Sequence, residues 1–61
     1  MTLTPAERAA LDAVARYGSI KAAAFHLRKS PYTIDAQIRS AKTKLGAVST
    51  IQAYAMVRDR A

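Results

Sequence analysis

The sequence predicts an all-α domain of four short helices, and three observations carry that prediction. Apolar residues recur at i, i+3 and i+4, and no segment of useful length alternates with period two. The two prolines, Pro5 and Pro31, each follow a hydroxyl residue, Thr4 and Ser30, a pairing that opens a helix. The two glycines, Gly18 and Gly46, each follow a periodic run, where a left-handed residue closes one.

The first helix is expected over 5–17. Thr4 with Glu7 three residues on is a capping box, and Leu11, Val14 and Ala15 supply the stripe expected to be buried. Ser19 can cap a shorter second helix, expected over 19–27, with a stripe of Ile20, Ala23, Ala24 and Leu27; its small alanines let another backbone come close. After the polar pair Arg28 and Lys29, a third helix is expected over 31–45. At 100° per residue Ile34, Ile38, Ala41 and Leu45 fall on one narrow core-facing stripe. The sector rotated from Ile34 by about 80 to 180° holds Tyr32, Asp35, Ala36, Arg39, Lys42 and Thr43, polar and free of bulky aliphatics. Ser49 with Gln52 makes another capping box and opens a fourth helix, expected over 50–59, with cations from Arg58 onward favourably placed at its C-terminal end.

Length and composition narrow the function. Sixty-one residues suffice for one core only, spanning 1–61 as a single domain. Ten Lys and Arg against four Asp and Glu give a formal net charge of +6, so an anionic partner is expected. The absence of cysteine excludes disulfides and thiolate metal sites, and 51% hydrophobic residues argue against disorder. No run of ten apolar residues occurs, which leaves neither a membrane span nor a signal-peptide core; an intracellular, cytoplasmic protein is expected. Catalysis finds no support. His26 is the only histidine, no nucleophile, base and acid can be assembled around it, and it reads as a partly exposed surface residue. No metal or cofactor is expected.

The arrangement that carries chemistry is the short second helix, a tight turn and a third helix with an apolar inner stripe beside a basic outer face. That is a helix-turn-helix, whose second helix enters the DNA major groove. From Arg16 to Lys44 there are seven cations and one acid. Lys21, Arg28, Lys29, Lys42 and Lys44 are placed to flank an inserted helix and neutralise phosphates.

The run Leu3-Thr4-Pro5-Ala6-Glu7-Arg8, with Ser19, Lys21, Ala24, Leu27, Ser30, Thr33-Ile34 and Lys44-Leu45-Gly46, resembles the LuxR-type (GerE-like) DNA-binding domain across residues 3–57. Residues 13–23 also resemble the opening of LysR-type helix-turn-helix domains, but those continue into a β-wing, whereas Ser49 here starts another helix. Three departures from the LuxR pattern stand out. Arg28 and Lys29 replace a usual glycine and aliphatic residue, Ala41 replaces a larger aliphatic, and Asp35 occupies a position that is often Lys or Arg. That aspartate can accept from a cytosine amino group, pair with Arg39 one turn on, or repel phosphate and weaken DNA binding.

The resemblance implies a DNA-binding transcriptional regulator, bacterial or phage and nucleoid-associated, with Asp35, Ala36 and Arg39 at base edges and Lys21, Tyr32, Thr33 and Lys42 at phosphates. It also implies a homodimer through the fourth helix. There Ala53, Tyr54 and Val57 face inward, while Ile51, Ala55 and Arg58 are left for the partner subunit, which would suit an inverted-repeat site. Members of the family usually carry a receiver or ligand-binding domain before the helix-turn-helix. The start at Met1 favours a free-standing regulator over a fragment. The alternative is a protein-interaction module of the antiactivator kind, which keeps the fold with little DNA binding and contacts a transcription factor or RNA polymerase subunit.

Overall fold

The computed structural model describes residues 3–60, with the Arg60 side chain outside the description along with Met1, Thr2 and Ala61. The side chain of Arg60, one of the cations expected at the C-terminal end, therefore lies outside the described residues. Four α-helices follow one another: α1 (Pro5–Tyr17), α2 (Ile20–Leu27), α3 (Pro31–Leu45) and α4 (Thr50–Arg60). The domain is all-α.

Local chemistry sets each boundary. Thr4 Oγ1 accepts from the Glu7 backbone N–H at 3.1 Å while the Thr4 N–H donates to Glu7 Oε1 at 2.9 Å, so the capping box is reciprocal. Gly18, at φ 89°, ends α1 by donating its N–H to the Val14 carbonyl. Ser19 caps α2 through the Ala22 N–H, which makes Ser19 the cap and Ile20 the first helical residue, one later than expected. Gly46, at φ 69°, closes α3, where the Ala47 N–H reaches back to the Lys42 carbonyl at 2.9 Å. Ser49 caps the Gln52 N–H at 3.0 Å. The Gln52 amide oxygen then accepts from Val48 rather than from the cap residue, so this box closes one residue further back than the sequence pattern suggests.

Helix α1 is the hub. It packs against α2, α3 and α4; α3 also contacts α2 and α4, while among the described residues α2 and α4 do not approach one another. The core is built largely of small side chains, Ala10, Ala13, Ala23, Ala24, Ala41 and Ala53, around Leu11, Ile34 and Ile38, with Val57 at its edge. Alanine at these positions lets helix axes come close, so the chain fills its interior with few large residues. The Ala41 position, thin relative to the LuxR pattern, is fully buried.

The α2 and α3 stripes lie as their periodicity places them, with Ile20, Leu27 and Leu45 half-buried against the core. On α1 the stripe is corrected. Leu11 is buried and Val14 half-buried, but Ala15 is exposed, and the buried positions are Glu7, Ala10, Leu11 and Ala13. About the helix axis Glu7, Ala10 and Val14 lie to one side of Leu11 and Ala15 to the other, so the face turned to the core is centred away from Ala15. Ala53 and Val57 of α4 are buried and Tyr54 is half-buried. Among the described residues no helix is long and apolar enough to cross a membrane.

Candidate nucleic-acid interface

Three residues, Arg28 to Ser30, separate α2 from α3. Arg28 takes the left-handed conformation at φ 58° and ψ 42°, and its successor's N–H donates to the Ala24 carbonyl at 2.9 Å. A glycine would adopt this geometry without strain; an arginine adopts it at a cost of about 1–2 kcal/mol. The polar pair Arg28 and Lys29 thus still makes a tight turn. Ser30 then fixes the start of α3, its Oγ accepting from the Thr33 N–H at 3.1 Å and lying 2.9 Å from the Thr33 hydroxyl.

Because Ile34, Ile38 and Ala41 are buried, the opposite face of α3 is directed outward. Ala36 and Arg39 are exposed, Asp35 is half-exposed, and Tyr32 stands 83% exposed at the N-terminal end. Arg39 Nε lies 3.0 Å from Asp35 Oδ2, the pairing expected of an i, i+4 acid and base. This ion pair runs along the outer face of the helix. The Arg39 side chain remains 76% exposed. Thr43, further along the same face, turns its hydroxyl back onto the Arg39 carbonyl at 3.1 Å.

Of the expected phosphate-flanking cations, Lys21, Arg28 and Lys29 are exposed and Lys42 is half-buried. Lys44 is corrected. Its ammonium turns inward to Glu7 Oε1 at 2.7 Å, so it serves the fold and not the basic face. Glu7 also accepts from the Ser40 hydroxyl and the Thr4 N–H. These donors, Lys44 foremost, then Ser40, then Thr4, hold its carboxyl down to a pKa of about 2. The sequence placed Glu7 only in a cap, because nothing local connects it to residues on α3.

On α4, Ile51 is 83% exposed, Arg58 is exposed and Ala55 is half-buried. Arg58 lies 4.0 Å from Asp59. The His26 ring, exposed as the sequence suggested, stacks on Tyr17 at 3.7 Å and meets the edge of Phe25 at 5.5 Å. Comparison with protein-family models, curated proteins and solved structures finds no match to this chain.

Proposed function

We propose that this chain is a sequence-specific DNA-binding transcriptional regulator of the LuxR type, which lays α3 in the major groove and acts as a homodimer through α4. The observation that carries the reading is the Asp35–Arg39 pair on the exposed face of α3. Asp35 beside Nε sets the rotamer of an arginine that stays 76% exposed, and such a guanidinium can bond guanine O6 and N7 bidentately. Ala36 beside it leaves room for a base edge. Pairing with Arg39 also offsets part of the repulsion between Asp35 and phosphate. Lys21 and Lys42 flank this face as phosphate contacts, joined by Tyr32 and by Thr33 at the capped start of the helix.

A dimer joined at Ile51, Ala55 and Arg58 would cover an apolar residue that is otherwise open to water, and it requires an inverted repeat. Selection from a random double-stranded DNA library at about 0.15 M salt tests the reading. An enriched inverted repeat with an invariant guanine in each half is expected from the native chain, and single half-sites from the Ile51→Glu variant. Absence of any enriched sequence would sink it and leave the protein-interaction module, for which the exposed apolar residues away from α3 are the supporting observation.

A further inference from the structure

A second surface lies away from the outer face of α3. Because α2 and α4 pack on α1 without meeting, a cleft of about 410 Å³ opens between them. Its floor is Ala9 and Ala13, its walls are Leu27 of α2 and Tyr54 of α4, and its rim carries Asp12, Arg16 and Tyr17. Tyr17 continues the cleft outward: His26 stacks on it and Phe25 closes on His26 edge-on, in centroid steps of 3.7 and 5.5 Å. Phe25 is 80% exposed. No residue of α3 lines the cleft.

We infer that this cleft and the aromatic ledge beside it form a docking site for an acidic amphipathic helix of a second protein. Three arguments select that occupant. A small molecule seated in the cleft leaves Phe25 uncovered, whereas anchors one or two turns apart on a helix, at about 5.4 Å per turn, reach from the cleft to the ledge. Next, the charge around the site is unbalanced. Arg16 stands on the rim and Arg28 and Lys29 follow Leu27 directly, against the single acid Asp12, which favours glutamate or aspartate on the incoming helix. Finally, a second copy of this chain docked here would bring the same local excess of cations, Arg16, Arg28 and Lys29, to a site that already carries them, so charge at this cleft opposes self-association. The helix-in-groove mode needs only apolar anchors on one face and acids on the flanks. The inference shares Arg28 and Lys29 with the cations expected to flank DNA, but none of the residues that line the cleft belongs to the α3 face.

The test uses a fluorescent synthetic helix with leucines at i, i+4 and i+7 and glutamates elsewhere, titrated with the full chain and followed by anisotropy. Phe25 and Arg16 are exposed, so Phe25→Ser and Arg16→Glu leave the core intact, which circular dichroism verifies. Each is expected to weaken binding at least tenfold, with Arg39→Ala unchanged. The same helix with lysines in place of the glutamates is expected to bind at least tenfold less well. Equal binding of the two helices, or no binding of either, overturns the proposal. So does sedimentation showing that Phe25→Ser abolishes self-association, because the occupant would then be a second copy.

Discussion

The carboxylate of Glu7 on the first turn of α1 and the ammonium of Lys44 on the last turn of α3 meet at 2.7 Å, although 37 positions separate them in the chain. The pair joins the start of the hub helix to the end of the proposed reading helix. Ser40 reinforces it from one turn earlier on α3. The orientation of α3 therefore depends on an ionised, mostly buried acid as well as on apolar contacts.

That dependence gives a pH signature. The Glu7 carboxyl sits at about 2 in the folded chain, below the range of about 4.3 for an unfolded glutamate. The unfolded state therefore binds the proton first, and the contribution of Glu7 is present in full above the unfolded value. It is lost as pH falls from about 4.5 toward 2. Thermal unfolding followed by circular dichroism should show the melting temperature falling across that window. Glu7→Gln should melt lower at neutral pH and flatten the acid limb. An unchanged limb in Glu7→Gln would show that another carboxylate governs acid unfolding.

The turn offers a stability gain. Arg28 at φ 58° carries the strain of a left-handed non-glycine residue. Arg28→Gly removes about 1–2 kcal/mol of strain and gives back about 0.5–1 kcal/mol through greater unfolded-state freedom. A net stabilisation of about 0.5–1 kcal/mol should raise the melting temperature by several degrees in a domain of this size. Arg28→Ala, which keeps the strain, should gain nothing. If the two variants melt together, the left-handed turn is not retained in solution.

How far these relationships could be read beforehand depends on their range. The caps at Thr4, Ser19, Ser30 and Ser49 and the stops at Gly18 and Gly46 act over three or four residues, so the four helices were legible. The stripe of Ile34, Ile38 and Ala41 was equally plain, because branched residues phase a helix sharply. On α1, where Ala6, Ala9, Ala10, Ala13 and Ala15 crowd one helix, small residues phase it poorly, and Ala15 was placed inside when Ala10 and Ala13 are the buried ones. In the sequence Lys44 looks like a phosphate contact, because a lysine's partner on another helix leaves no trace in spacing. Arginine carries no signal for a left-handed turn, so Arg28 looked like a disturbance of the turn rather than its closing residue. Phe25 lies off the α2 stripe, but an aromatic side chain gives no hint that it will stand in water.

The Asp35–Arg39 pair separates specificity from affinity, and its members can be changed without harm to the fold, because an exposed i, i+4 pair contributes only about 0.3–0.5 kcal/mol. Arg39→Ala should lower discrimination at one base pair per half-site by about 1–3 kcal/mol, roughly fivefold to 150-fold. Asp35→Ala keeps the cation but frees its Nε, so preference at the same base pair should fall while binding to unrelated DNA tightens through the lost negative charge. Lys42→Ala should do the opposite. Every sequence should bind more weakly, the order of preference should stay, and the slope of log affinity against log salt should shrink by about 0.9. Fluorescence anisotropy on the selected site and its single-base variants, from about 0.05 to 0.2 M salt, resolves the three patterns. If Asp35→Ala leaves base preference intact, Arg39 needs no buttress and the rotamer set by Asp35 is not what reads the base.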